Sequence, residues 1–129
     1  MKAGKLLKQI ERYLRYKEKL DKKHMPDDDA KIRISCNFNK LKVFYTLTSI
    51  NPIHFNHCNS ILELSNRNDN EISLNNMCNE LRENSDMDIA FIIYDDEGNH
   101  ITGIGENSKF DINIRNIISR TLCVEVELL

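Results

Sequence analysis

The fold is decided by a change of hydrophobic period within residues 3–36, which read AGKLLKQIERYLRYKEKLDKKHMPDDDAKIRISC. Apolar residues first recur at spacings of three, four and seven, which is typical of an amphipathic helix. Beyond Pro26, which disfavours helical geometry at the residue before it, they alternate with polar residues as in a strand. The chain is therefore predicted to be a single domain with a helix over 1–24, an acidic connector over 25–30 and an α+β body over 31–129.

The predicted N-terminal helix has two faces of different chemistry. Lys17 interrupts an otherwise apolar face that comprises Ala3, Leu6, Leu7, Ile10, Tyr13, Leu14 and Leu20. We favour the interpretation that this face covers the protein's own sheet, and the alternative is that it pairs with a second copy of the chain in a homodimer. The opposite face carries cations and one tyrosine, and it is the candidate partner-binding surface: Lys5, Lys8, Arg12, Arg15, Tyr16, Lys19 and Lys23.

Charge is divided unevenly between this helix and the body. Residues 1–24 contain nine Lys/Arg and three Asp/Glu, a net charge of +6. Residues 25–129 contain nine Lys/Arg and seventeen Asp/Glu, a net charge of −8. A basic segment on an acidic body indicates an electrostatic partner for the segment, which is a nucleic acid, an acidic protein surface or the body itself.

The body is predicted to form an antiparallel sheet packed on helices, with no parallel β-α-β repeat and the approximate overall order α-β-β-β-α-β-β-α-β. Residues 32–36 and 41–50 predict a hairpin that Asn51-Pro52 ends. Residues 110–118 favour a helix beginning near Asp111, and a strand is the alternative because Ile112 and Ile114 alternate. The other predicted elements are a strand at 61–64, a helix from Leu74 to Leu81 capped by Ser73 or by an asparagine just upstream, a hairpin of 87–94 with 101–104, and a strand at 122–126.

Composition narrows the class of protein. The chain is 29% charged and 40% hydrophobic, and no apolar run approaches the roughly 20 residues of a membrane helix, so we expect no membrane association. The N-terminus fits neither a secretory signal nor a transit peptide, and the four cysteines include no Cys-x-x-Cys pair. These features favour a cytoplasmic protein with reduced, largely buried thiols.

The balance of residue types indicates the origin of the gene. Sixteen Asn and sixteen Ile against three Ala indicate an AT-rich genome, and a phage or mobile element is the origin we favour.

The soft metal ligands of the chain are concentrated in one segment, His54-Phe55-Asn56-His57-Cys58. A zinc ion would accept His54, His57 and Cys58, and the fourth ligand would come from Cys36, Cys78 or His100. Structural zinc sites usually have two pairs of closely spaced ligands, and the second pair is missing here. We therefore favour a loop with structural histidines, and His54, His57 and Cys58 are weak metal candidates. A Cys58 nucleophile with a histidine base is disfavoured further, because neighbours in sequence need not meet in space.

The acidic segment Asp95-Asp96-Glu97-Gly98 predicts a hairpin turn. The alternative is a Mg²⁺ or Mn²⁺ site, whose candidate ligands are Asp86, Asp88, Asp95 and Glu106. A phosphate-binding loop at residues 103–110 is excluded, because Ser108 stands where the second glycine is required.

These observations predict a small non-enzymatic protein that acts through protein–protein contacts as an inhibitor, adaptor or chaperone of a larger machine. No cofactor is expected. The first alternative is a regulator that binds nucleic acid through the basic helix, because its fixed cations would track phosphates and Tyr16 would stack on a base. The second alternative is a metal-dependent hydrolase built on the acidic residues or on the His-Cys segment.

Overall fold

The computed structural model describes residues 1–38, 40–53, 60–67, 70–99 and 114–128, and it confirms the α+β class. Helix α1 spans Ala3–Leu20, a 3₁₀ turn follows at Lys22–His24, and helix α2 spans Leu74–Glu83. The strands of the described ranges are β1 Lys31–Phe38, β2 Leu41–Thr46, β3 Ser49–Ile53, β4 Ile61–Ser65, β5 Asp88–Ile92, β6 Ile114–Arg120 and β7 Cys123–Leu128.

The described strands form two mixed sheets. The four-stranded sheet has the order β2-β1-β7-β6, in which β1 is antiparallel to β2 and parallel to β7, and β7 is antiparallel to β6. The three-stranded sheet has the order β3-β4-β5, in which β3 and β4 are antiparallel and β4 and β5 are parallel. Helix α2 lies between β4 and β5 in the chain and makes the crossover that a parallel pair requires. The expectation of an antiparallel sheet without a parallel β-α-β repeat is therefore corrected at β4 and β5, which pair in parallel across α2.

The run 41–50 divides between the two sheets. Its first part is β2, and the chain then passes to β3 through Leu47 and Thr48. The amide of fully buried Leu47 donates to the Ile32 carbonyl at 2.8 Å, and the amide of Thr48 donates to the Ser65 carbonyl at 2.9 Å. The predicted end at Asn51-Pro52 is wrong, because Pro52 lies within β3. That strand is at an edge of the described sheet, where a missing N–H costs no ladder hydrogen bond.

The predicted helix at 110–118 is wrong over the part that the structure describes. Residues 114–120 form β6, in which Ile117 and Ser119 are buried and pair with Val126 and Val124 of β7. The strand alternative is therefore the one observed. The beginning of the predicted helix and the strand at 101–104 lie outside the described residues.

Helix α2 and its cap are confirmed. Ser73 accepts a hydrogen bond from the amide of Asn76 at 3.2 Å, which satisfies one of the free N–H groups of the first turn. Leu74, Met77 and Leu81 are buried on the predicted face.

Helix α1 is packed into the body. Ala3, Leu6, Leu7 and Ile10 are buried, so the first half of the apolar face covers the protein's own core as favoured from the sequence. The start of the helix is also hydrogen-bonded to the region of β5, since the Ala3 amide donates to the Met87 carbonyl at 2.8 Å. One cluster of buried side chains joins both helices and both sheets, and its largest fully buried members include Phe91, Leu6, Ile10, Ile32, Ile34, Leu47, Leu62, Leu64, Met77, Leu81, Ile89 and Ile93.

Candidate functional site

The second half of α1 lies along β6 through polar contacts. The Tyr13 hydroxyl accepts a hydrogen bond from the Ser119 amide at 3.3 Å, and the Lys17 ammonium donates to the Ser119 carbonyl at 2.8 Å. Lys17, the one interruption of the apolar face, therefore binds the carbonyl of a strand at the edge of the described sheet. These contacts orient the helix about its axis and direct the opposite side to solvent.

The seven residues of the predicted binding surface are all exposed, and together they form what we call the basic face: Lys5, Lys8, Arg12, Arg15, Tyr16, Lys19 and Lys23. All but Lys23 lie on α1, and Lys23 lies in the 3₁₀ turn that follows. At a rise of about 1.5 Å per residue, the cations from Lys5 to Lys19 extend along about 21 Å of the helix.

The six cations of the basic face form no ion pair within the described ranges. Two carboxylates near them have other partners: Glu11 contacts Arg82 at 3.7 Å, and Asp21 contacts His24 at 2.9 Å. The hydrogen bond from His24 lowers the pKa of Asp21 below its ordinary value of 3.8. The ion pair between the start of the chain and the body is made by Lys2 with Asp88 at 3.3 Å, and Lys2 is not part of the basic face. The acidic body is therefore not the counterpart of this face in the described structure.

Exposed apolar side chains border the basic face at its C-terminal end. Tyr16 is 62% exposed, and Leu20, one turn later, is 67% exposed. Leu122, in the turn after β6, is 72% exposed. The hydrogen bond from Lys17 to the Ser119 carbonyl holds this end of β6 close to the end of α1. The sequence analysis assigned Leu20 to the buried face and missed Leu122. Leu20 is seven positions after Tyr13, which is a helical spacing, but it is the last residue of α1, and helical spacing alone does not show that the end of a helix is exposed.

The structure describes only some of the metal candidates of the sequence. His54, His57 and Cys58 lie outside the described residues, as do His100 and Glu106. Within the described ranges, no three His, Cys, Asp or Glu side chains are placed to hold a metal ion.

The acidic turn is confirmed. Asp95 uses one carboxylate oxygen to accept the amides of Glu97 at 3.0 Å and Asn99 at 2.8 Å, and Gly98 has a positive φ of 82°. Asp88 is paired with Lys2, so two of the four predicted carboxylate ligands serve the fold.

The cysteines of the described ranges are free thiols. Cys36 is buried, and Cys78 and Cys123 are partly buried. Burial raises the pKa of each thiol above its ordinary value of 9.0. A raised pKa disfavours the thiolate, which is the opposite of what an activated cysteine nucleophile requires.

A second surface, missed by the sequence analysis, lies on the outer face of the four-stranded sheet. It is a groove of about 270 Å³ that receives side chains from all four strands, among them Arg33 of β1, Phe44 of β2, Ile118 and Arg120 of β6, and Cys123 of β7. Sequence patterns did not reveal it because these positions span 91 residues of the chain and meet only through the pairing of β1 with β7.

Comparison of the chain with protein-family models, with curated proteins and with solved structures finds no match. Within the described ranges, neither α1 nor α2 combines the length and apolar character needed to span a bilayer.

Proposed function

We propose that this chain is a small non-enzymatic binding protein that acts through protein–protein contacts, as an inhibitor, adaptor or chaperone of a larger protein. The basic face of α1 is the contact surface, and its counterpart is an acidic surface on the partner. The observation that carries the proposal is the row of six exposed cations without a described ion pair, bordered by exposed Tyr16 and Leu20.

Charge and apolar exposure together favour a protein partner. Arg and Tyr are the residues on which protein interfaces most often depend, and Arg12, Arg15 and Tyr16 lie within five positions of one another. Leu20 adds apolar area that a phosphate backbone would not cover. Residues 25–129 carry a net charge of −8, which repels a long polyanion, whereas an acidic patch on a protein can be matched locally to the helix.

A nucleic-acid partner is the second candidate, and the 21 Å row of cations is the observation that favours it. Binding to phosphates would release counterions, so the logarithm of the affinity would fall steeply with the logarithm of the salt concentration, by about 0.9 for each phosphate neutralised on duplex DNA. The two candidates are separated by nuclease treatment and by this salt dependence.

The test is capture of partners from host lysate with the tagged protein, with and without nuclease, followed by mass spectrometry. The double variant Arg12→Gln/Arg15→Gln removes two cations from the basic face. Its matched control is Arg33→Gln/Arg120→Gln, which removes two exposed arginines from the opposite side of the four-stranded sheet. Neither pair of arginines forms a described ion pair, so both variants should fold as the parent does, and circular dichroism checks this.

A discrete protein that survives nuclease, is lost with the α1 variant and is kept with the control is the expected result. Rebinding of that purified protein should weaken about 5- to 30-fold in the α1 variant, since two ion contacts of about 0.5–1 kcal/mol each are removed. Loss of the captured material on nuclease treatment would favour nucleic acid. Equal capture by the α1 variant and the parent would overturn the assignment of the basic face.

A further inference from the structure

The groove on the outer face of the four-stranded sheet is separate from the basic face. Strand alternation directs the side chains of Ile117 and Ser119 of β6 inward. On that side the Ser119 amide donates a hydrogen bond to the Tyr13 hydroxyl of α1. Ile118 and Arg120 point the other way, toward the groove. The sheet therefore stands between the groove and α1, and a ligand in the groove leaves the basic face free.

Two arginines approach the groove from opposite sides of β7. Arg33 of β1 pairs with Glu125 of β7, and Arg120 of β6 pairs with Cys123, two positions earlier. Neighbouring strands are about 4.8 Å apart, so β1 and β6 are separated by about 10 Å. Arginine side chains are long enough to span this distance toward a common point above β7. Both arginines line the same groove as Cys123.

The acidic residues of this face are already neutralised. Glu125 and Glu127 are buried, and the Lys42 ammonium donates to Glu125 at 2.8 Å and to Glu127 at 3.5 Å. These contacts, led by the hydrogen bond to Glu125, raise the pKa of Lys42 and keep it charged. Arg115 also contacts Glu127, at 3.6 Å.

Arg33 and Arg120, in contrast, have no hydrogen bond or ion pair with any carboxylate in the described ranges. The groove therefore presents two unused guanidinium groups above carboxylates whose charge is compensated. A guanidinium offers paired N–H donors that match the oxygens of a phosphate.

The groove also contains apolar side chains. Phe44 is 49% exposed, with the Lys42 ammonium 5.3 Å from its ring centre, and Ile118 is partly buried across the sheet. The half-exposed phenyl ring, on the β2 side of the groove, gives a planar ring something to pack against. The volume of about 270 Å³ lies just below the range of roughly 300–1,000 Å³ for drug-sized ligand sites, so the groove suits one small molecule rather than a helix or a duplex.

We propose that this groove binds a small phosphate monoester that carries a flat ring, of the class of nucleoside monophosphates. The phosphate lies between Arg33 and Arg120, and the ring packs on Phe44. Lys42 has a positioning role, because it neutralises Glu125, which would otherwise repel the phosphate.

The test is isothermal titration calorimetry of the full chain at low ionic strength, with adenosine monophosphate, adenosine and inorganic phosphate as separate probes. Adenosine monophosphate should bind at least about tenfold more tightly than either adenosine or phosphate alone. The variant Arg33→Gln/Arg120→Gln should weaken binding of adenosine monophosphate about tenfold or more, and Arg12→Gln/Arg15→Gln should leave it unchanged. Adenosine monophosphate should also shift the backbone amide resonances of Arg33, Arg120 and Cys123 in the parent protein, which tests the site without any variant.

Three results would overturn the proposal. Equal affinity for inorganic phosphate and adenosine monophosphate would remove the ring from the argument. Equal loss of binding in the two double variants would show a general charge effect instead of a site. A short single-stranded oligonucleotide that binds more tightly than the monophosphate and shifts the same amides would reassign the surface to nucleic acid. Failure of the α1 partner experiment leaves this proposal unaffected, because the two surfaces are on opposite sides of the sheet.

Discussion

Replacing Ile10 with alanine tests whether α1 is part of the core or an arm laid on the surface. Ile10 is fully buried midway along the helix, two positions before Arg12 of the basic face. The substitution removes three carbon groups, which at about 0.8 kcal/mol each gives about 2.4 kcal/mol of lost transfer free energy. The cavity that remains adds to this, so the free energy of unfolding should fall by about 3–4 kcal/mol. Folded domains have only about 5–15 kcal/mol in total, so this is a large fraction.

The assay is urea denaturation followed by circular dichroism, with a thermal scan alongside. For 129 residues the unfolding entropy is about 0.27 kcal/mol/K, so Tm should fall by about 11–15 °C. The matched control is Leu20→Ala, which makes a similar change on the same helix at a side chain that is 67% exposed, and it should change stability by no more than about 0.5 kcal/mol. A loss below about 1 kcal/mol for Ile10→Ala, or equal losses in both variants, would refute the packing of α1 described above.

Three further predictions concern the cap, the acidic turn and the thiols. Ser73→Ala should lower the free energy of unfolding by about 1 kcal/mol in urea, because the Asn76 amide loses its acceptor; no change would mean that water replaces the cap. Gly98→Ala should cost about 1–2 kcal/mol by the same assay because φ is 82°, and a neutral result would contradict that backbone conformation. The raised pKa values of Cys36, Cys78 and Cys123 contribute stability that is complete below pH 9.0 and lost as pH rises further. The free energy of unfolding should therefore decline above pH 9.0. Iodoacetamide at pH 8 should label these thiols more slowly in the native protein than in urea, and peptide mapping by mass spectrometry measures the rates. Equal rates would count against the burial of the thiols.

The elements with a clear period could be predicted from the sequence. The spacing of apolar residues predicts helix α1, helix α2 and the strand observed as β7. The chemistry of helix caps predicts Ser73 as a cap of α2. The basic face followed as well, because the burial of Leu6 and Ile10 fixes which side of the helix remains in water.

The division into two sheets could not be predicted, because it depends on tertiary pairing. No glycine or proline marks the passage from β2 to β3 at Leu47, and the residues on both sides have equal β propensity. Residues 114–118 fit a helical period and a strand period, and pairing with β7 selects the strand. The groove depends on the same pairing, since Arg33 and Arg120 become neighbours only when β7 lies between them.

The position of β7 determines when the protein can acquire its shape during synthesis. Lys31 pairs with Cys123, which is 92 positions later, so the four-stranded sheet cannot close until residue 128 has left the ribosomal exit tunnel. Before that moment β1 and β2 form at most a two-stranded hairpin, which is marginal in water and leaves Ile32 and Ile34 uncovered. A ribosome stalled before residue 123 should therefore present β1 and β2 as a protease-sensitive, aggregation-prone segment.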